Sequence, residues 1–308
     1  MVSTKKKILI TGGTGFIGSH LVRELEKDKD NEIYILTRKE IDRSKTNHLT
    51  NLINIDYSNF FKIKNLLKSI NPTHILHLAS SKIRKKFKDV NREVFFRELH
   101  QDLSFICLIQ DLPDLERFFY FGTDDMFTDK NYHLFPETIK PRNAYGLHKA
   151  LVSKFIRSID NNSNFQTTII IPSIVYGPNQ KLDMLIPSLA DSLIRNQKFL
   201  IKDPQVYKNY IYISDFINIL IELINHEKEL EDDQIFLSSR NAIQIKDLCE
   251  VFINILGEDV RKLIQFKISE DDIITPFYKY PDCKSIKNWH PEIEIYEGLE
   301  KTIISLRN

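Results

Sequence analysis

Glycine is scarce in this chain, with nine residues in 308. Four of the nine, Gly12, Gly13, Gly15 and Gly18, fall within seven consecutive positions. No run of about 18 apolar residues is present, which excludes a membrane-spanning helix. An excess of either charge is also lacking. Lys and Arg total 43 and Asp and Glu total 42, for a formal charge of +1. Such a chain has no basic field with which to hold nucleic acid. Cysteines are few and odd in number: Cys107, Cys249 and Cys283, with no CxxC spacing. They read as small buried hydrophobes in a reducing cytoplasm. The basic start, Met1 to Lys7, leads into only Ile8-Leu9-Ile10 before Thr11 and glycine, too short for the apolar core of a secretory signal.

What is present is an ordinary globular composition, 42% hydrophobic and 28% charged, expected for one large domain or two closely joined ones. Short apolar runs alternate with amphipathic ones through the first 170 residues. Strands are expected at Lys7–Thr11, Glu32–Thr37, Leu52–Asp56, His74–Ala79, Arg117–Gly122 and Thr167–Pro172. Helices are expected at Gly15–Lys27, Phe60–Ile70, Val94–Leu112 and Tyr145–Ile159. Strands joined by crossover helices imply an α/β fold, a doubly wound parallel sheet of the Rossmann type. After Tyr176 prolines interrupt the pattern, and helices are expected at Ile186–Asn196, Ser214–Asn225, Ile245–Leu256 and Glu297–Leu306. The expected division is a dinucleotide-binding domain over 1–172 and a smaller α+β substrate lobe over 173–308, with segments near 208–225 returning to the first domain. The basic run Lys82–Lys88 reads as a solvated face.

The glycine cluster follows the first strand and opens the first helix. Gly13, Gly15 and Gly18 satisfy GxGxxG, and Gly12, Gly15 and Gly18 satisfy GxxGxxG. Glycine permits the tight turn, close approach to a diphosphate, and close helix–strand packing. Free N–H groups at the helix start favour the phosphates. Gly12, Gly15, Phe16, Ile17 and Gly18 are therefore candidate cofactor residues. A second test lies at the end of strand two, where an acid binds the ribose 2′-hydroxyl of NAD and an arginine accommodates the 2′-phosphate of NADP. Here the strand ends Leu36-Thr37-Arg38-Lys39. Arg38 favours NADP(H) over NAD(H), although an exposed turn arginine would look the same. Asp56, ending strand three, is a candidate acceptor for the adenine amino group.

Tyr145-Gly146-Leu147-His148-Lys149 places Tyr145 and Lys149 four apart, on one helix face. A free tyrosine, with a pKa near 10, is a poor acid–base group at neutral pH; a nearby ammonium stabilises its phenolate. Thr123, after the fifth strand, offers a hydroxyl for the same substrate oxygen. His74 and His77 face opposite sides of a strand, and no metal site is expected.

Together these residues resemble the extended short-chain dehydrogenase/reductase family that acts on nucleotide sugars. The matching stretches are TGGTGFIGSHL at 11–21, Asp56, HLAS at 77–80, GTDDMF at 122–127, YGLHK at 145–149, PSIVYGP at 172–178, LIP at 185–187, KNYIYISD at 208–215 and NWHPEIEIYEGLEKTI at 288–303. The resemblance implies a Thr123–Tyr145–Lys149 triad. Tyr145 would be the acid/base, Lys149 would tune it and hold the nicotinamide ribose, and Thr123 would bond the reacting oxygen. It also implies that Leu78, Ala79 and Ser80, and the stretch from Pro172, line the cofactor. Ser81, Lys208 and Tyr176 would meet the substrate. It implies a homodimer through the helices at Val94–Leu112 and Tyr145–Ile159, where Phe95, Leu99, Leu103 and Ile106 would equally suit core packing.

Three reactions compete. Epimerases of the family carry a serine-rich stretch where this chain has Gly122-Thr123-Asp124-Asp125. Its 4,6-dehydratases carry Thr-Asp-Glu, the Asp as acid and the Glu as base; Asp125 is one methylene shorter, and ~1 Å of misplacement can cost ~100-fold. Sugar 4-ketoreductases carry Thr-Asp, a non-acid and an aromatic, which Met126-Phe127 resembles better. The expectation is reduction of a keto group, at C4, on a nucleotide-linked deoxysugar, with dehydration or epimerisation as alternatives. A non-catalytic dinucleotide-binding regulator is the rival of another class. Two departures bear on the substrate. The family's Asn before Val-Tyr-Gly-Pro is absent from Pro172-Ser173-Ile174, and its usual Arg is Lys208, which cannot present a bidentate fork.

Overall fold

The computed structural model describes residues 5–38, 51–79, 87–127, 141–160, 163–225, 234–239, 241–267, 286 and 289–307. Ser80, Ser81, Cys283 and most of the basic run 82–88 lie outside them. The described residues fall into two units, one within 1–128, 134–171 and 220–235, the other within 172–219 and 236–308.

The first unit is built on β1 (Lys6–Thr11), α1 (Phe16–Leu25), β2 (Asn31–Thr37), β3 (Leu52–Asn54), α2 (Phe60–Ile70), β4 (His74–His77), α3 (Arg92–Ile109), β5 (Arg117–Phe121), α4 (Ala144–Asp160) and β6 (Gln166–Pro172). β1 pairs in parallel with β2 and β4, β2 with β3, β4 with β5, and β5 with β6. Each parallel step needs a crossover, which the amphipathic helices supply. Both sheet faces are thereby covered, so the strands are apolar throughout: Ile8, Leu9 and Ile10 are wholly buried, as is Tyr120. Asparagines cap α2 and α3. Asn59 Oδ1 accepts from Lys62 N–H at 3.0 Å and Asn91 Oδ1 from Val94 N–H at 3.2 Å, each satisfying an orphan donor of a first turn.

The sheet order includes a seventh strand that the sequence reading missed. In the remaining order, β7 (Ile174–Tyr176), α5 (Leu185–Ile194), β8 (Phe199–Lys202), β9 (Tyr207–Lys208), β10 (Tyr210–Tyr212), α6 (Ile213–Ile224) and β11 (Gln234–Leu237) follow, then β12 (Ile243–Gln244), α7 (Ile245–Leu256), β13 (Ile264–Lys267) and α8 (Ile295–Arg307). The large sheet runs β11-β6-β5-β4-β1-β2-β3. Its direction of winding reverses between β1 and β4, the crevice where doubly wound sheets take their ligands. Three strands also end earlier than expected, β3 at Asn54, β4 at His77 and β5 at Phe121. At β4 the chain turns because the next two N–H groups fold back, Leu78 N–H to the Thr11 carbonyl and Ala79 N–H to Thr11 Oγ1, both at 3.1 Å.

The second unit carries three two-stranded ribbons, β7 with β10, β9 with β12, and β8 with β13. Its core gathers the rings of Tyr176, Tyr210 and Tyr212. Asp215 accepts the N–H groups of Glu292 and Ile293 at 3.1 and 2.9 Å and so fixes the approach to α8.

Candidate active site

β1 delivers the glycine loop to the crevice. Gly12 adopts φ +73°, and a Cβ there would lie 2.7 Å from the Ala79 nitrogen. Any larger residue would push the loop off the end of β4. A Cβ on Gly18 would collide with the Gly12 carbonyl oxygen, so Gly18 sets how closely α1 packs on the loop. Gly15 caps α1 without a side-chain bond, and the N–H groups of Phe16 and Ile17 have no partner within the helix by geometry. This loop and helix start fit a diphosphate, on both shape and the positive end of the helix dipole.

Arg38 follows β2 and is exposed; its Nη1 lies 3.2 Å from Glu98 Oε1, and its guanidinium carbon lies 5.9 Å from the centre of the Tyr57 ring. The residue expected to meet a 2′-phosphate thus already has an acidic neighbour on α3. Asp56 is exposed two residues beyond the end of β3, and its Oδ1 accepts from Ser58 N–H at 2.9 Å. That bond holds its carboxyl below the usual range, with a smaller contribution from Arg38.

β5 and α4 bring the catalytic candidates together. After β5 the chain makes a 3₁₀ turn over Asp124–Met126, led by Thr123. Thr123 Oγ1 accepts from Asp125 N–H at 3.3 Å and donates to Asp124 Oδ1 at 3.4 Å. Asp124 Oδ2 also lies 3.8 Å from Arg142 Nη1. The Asp125 carbonyl accepts from Arg142 N–H at 2.9 Å. α4 then starts over Asn143, whose Oδ1 accepts from Gly146 N–H at 2.9 Å. A Cβ on Gly146 would collide with the Asp125 carbonyl oxygen, so glycine beside Tyr145 lets the turn bearing Thr123 dock on the helix bearing Tyr145 and Lys149. Tyr145 is 6% exposed and Lys149 1%. The Lys149 Nζ sits 4.5 Å from the centre of the Tyr120 ring, a cation over an aromatic face.

Beneath these residues is a polar cluster that sequence reasoning missed. Asp102 of α3 is largely buried. Its Oδ1 lies 3.3 Å from His77 Nε2 and its Oδ2 lies 3.5 Å from His148 Nε2. His77 Nδ1 lies 2.9 Å from Thr11 Oγ1. The His77 ring stacks between Phe105, at 4.9 Å, and Tyr120, at 5.9 Å. Burial alone would push the Asp102 carboxyl up. The hydrogen bond and charge of His77, with the charges of Lys149 and His148, outweigh it and hold the carboxyl low. Burial lowers His148, against the pull of Asp102.

Residues 8–237 match the family described as NAD dependent epimerase/dehydratase family. The chain belongs to that family. A dTDP-D-glucose 4,6-dehydratase of Bos taurus is 26% identical, covering 98% of this chain and 88% of its own. A GDP-6-deoxy-D-talose 4-dehydrogenase of Aggregatibacter actinomycetemcomitans is 21% identical, covering 83% and 92%. The crystal structure of a UDP-glucose 4-epimerase from Thermotoga maritima, bound to UDP-glucose, superposes with a TM-score of 0.80 at 18% identity and covers 98% of both chains. The last likeness concerns the fold.

For an epimerase/dehydratase family member, the second unit is less revealing than the first. Pro172 closes β6 and is half-buried. Lys208, on β9, is half-buried and pairs with Ile243 of β12. The expectation that the Tyr176 side chain meets substrate is corrected. It is 1% exposed, its ring packs on Tyr210 and Tyr212, and its hydroxyl fills the space that a side chain at Gly298 would take. It is a core residue of that unit. Among the described residues no group of His, Cys, Asp and Glu is arranged to hold a metal, and no helix is long and apolar enough to cross a membrane.

Proposed function

We propose that this family member is a nicotinamide dinucleotide-dependent reductase of a keto group, at C4, on a nucleotide-linked deoxysugar, working as a cytoplasmic homodimer with NADP(H) preferred. The observation that carries it is the assembly of Thr123, Tyr145 and Lys149 through the contact of Gly146 with Asp125. A regulatory dinucleotide-binding protein has no need of a proton donor held beside a buried ammonium. A nicotinamide cofactor held there would supply the hydride that the keto carbon needs. The Tyr145 hydroxyl gives its proton to the oxygen on which charge develops, and the Thr123 hydroxyl and the Lys149 ammonium stabilise that oxygen. Gly12, Gly15, Gly18 and the N–H groups of Phe16 and Ile17 hold the diphosphate, with the backbone of Leu78 and Ala79 beside it. Arg38 takes the 2′-phosphate once it turns from Glu98. Pro172 is proposed to line the cofactor and Lys208 to meet the substrate.

Reduction is favoured over dehydration by the two acids. Asp124 already engages Thr123 and Arg142, and Asp125 is one methylene shorter than the glutamate a dehydratase uses as base. The 4-dehydrogenase relative interconverts the same kind of carbon centre by its name. Phe96 on α3 and Leu151 on α4 are exposed apolar residues, 64% and 39%, suited to a helix-to-helix dimer, which sedimentation measures.

The test is NADPH oxidation by the purified protein against a panel of 4-keto-6-deoxy nucleotide sugars. Turnover is expected with at least one, and Tyr145→Phe should abolish it while cofactor still binds. Conversion of dTDP-glucose to its 4-keto-6-deoxy product without net NADPH consumption would replace this reading with a dehydratase.

A further inference from the structure

β4 ends at His77 because Thr11 captures the next two N–H groups, Leu78 at its carbonyl and Ala79 at its hydroxyl. A main-chain carbonyl is fixed by its strand. A threonine hydroxyl is not, and it reaches Ala79 only from the right rotamer. The group that holds it there is His77, whose Nδ1 lies 2.9 Å from Thr11 Oγ1. His77 is wholly buried, so water does not compete for this bond. Its ring plane is set by stacking on Phe105 and Tyr120, at interplanar angles of 18° and 17°. Stacking does not distinguish the ring from its flipped form, in which carbon takes the place of each nitrogen. Asp102 of α3 does. Its Oδ1 lies 3.3 Å from His77 Nε2, and an ionised carboxylate needs a donor there, which nitrogen supplies and carbon does not. His148 of α4 faces the other carboxylate oxygen at 3.5 Å. The glycine loop rests on the far end of this chain of contacts, since a Cβ on Gly12 would lie 2.7 Å from the Ala79 nitrogen.

We propose that Asp102 and His77 are positioning residues for the cofactor. Asp102 sets the flip of the His77 ring, His77 sets the Thr11 hydroxyl, and Thr11 holds the Leu78–Ala79 turn on which the glycine loop rests. The inference rests on the reading of that loop and turn as the cofactor's floor. Cutting either bond of His77 frees the Thr11 hydroxyl to turn away from Ala79, and the turn and the loop then shift together.

The test is a double-mutant cycle on dinucleotide affinity, read by fluorescence titration of the full-length protein with NADH and NADPH. Thr11 and Asp102 meet opposite nitrogens of His77. Changes in packing alone at two such sites would add, whereas residues joined through a shared partner are coupled. Thr11→Val, which keeps the shape without the hydroxyl, should weaken binding about tenfold, the scale of one buried hydrogen bond. Asp102→Leu, which fills its site without an acceptor, should do nearly the same. The double variant should bind no more weakly than Thr11→Val alone, because the bridge is already cut. Thr11→Val also loses a contact with the Tyr57 hydroxyl, which the cycle cancels. If Asp102→Leu does not fold, His77→Phe takes its place, keeping a stacked ring and losing both bonds. Effects that add in the double variant, or an Asp102→Leu protein that binds as tightly as the wild type, overturn the proposal. A wild type that binds neither dinucleotide overturns the functional reading instead. The same cycle is then read by urea unfolding, where coupling keeps the bridge and additivity ends it.

Discussion

The carbonyl oxygen of Asp125 occupies the place that a side chain on Gly146 would need. The carbonyl also accepts Arg142 N–H, so it cannot move without breaking a bond that leads into α4. Gly146→Ala should therefore separate the Thr123 turn from the helix rather than be absorbed. Overpacking of this kind costs about 1–3 kcal/mol of stability, and ~1 Å of misplacement costs ~100-fold in rate. Urea unfolding together with kcat checks both. A variant with native turnover would show that the turn does not position Thr123.

That contact also shows what could be read from the sequence. The spacing YxxxK and the stretch Gly122-Thr123-Asp124-Asp125 announce the residues, because their chemistry is local. The alternation of apolar runs with amphipathic ones announces six strands, because a sheet covered on both faces needs strands apolar throughout. β11 was not legible. Four residues, Gln234–Leu237, show no alternation, and their place beside β6 is set by a non-local pairing. Asp102 was illegible for a related reason. An acid inside an amphipathic helix reads as solvated face, and only the packing of α3 against β4 and α4 turns it inward. His148 carries no signal of its own in the sequence, because its acidic neighbour Asp102 comes from another helix.

Arg38 and Glu98, 3.2 Å apart, compete with a 2′-phosphate for one guanidinium. Glu98→Ala should release Arg38 and raise the preference for NADPH over NADH by up to about fivefold, since an exposed ion pair of this kind is worth at most about 1 kcal/mol. Arg38→Ala should bring the two cofactors to similar affinity. Fluorescence titration with each reduced cofactor measures the ratio. If neither change moves it, Arg38 is an ordinary turn residue.

The two described thiols differ, and Cys107 departs from the burial expected of the cysteines. Cys107 is exposed and Cys249 buried, and burial pushes the Cys249 thiol up to about 12. The thiolate is the reactive form. A disulfide reagent at pH 8 should therefore modify Cys107 in the native protein and leave Cys249 untouched until denaturant is added, with peptide mass mapping to identify the sites. Rapid native labelling of Cys249 would mean that α7 opens readily.

Asp102 makes a prediction about stability that is independent of catalysis. Its carboxyl is held below the ordinary range in the folded protein, so folding favours the ionised form. For a carboxyl lowered in this way the contribution is fully present above the unfolded value, about pH 4, and is lost as pH falls through the folded value. Asp102→Asn should cost about 3–5 kcal/mol at pH 7, because the buried His77 loses the acid that partners it. The gap between the two proteins should narrow as pH drops below about 4, where the wild-type carboxyl also becomes neutral. Denaturant titrations of both proteins from pH 7 to pH 3 follow that gap. A difference that stays constant across the range would make Asp102 a packing residue whose charge the fold does not use.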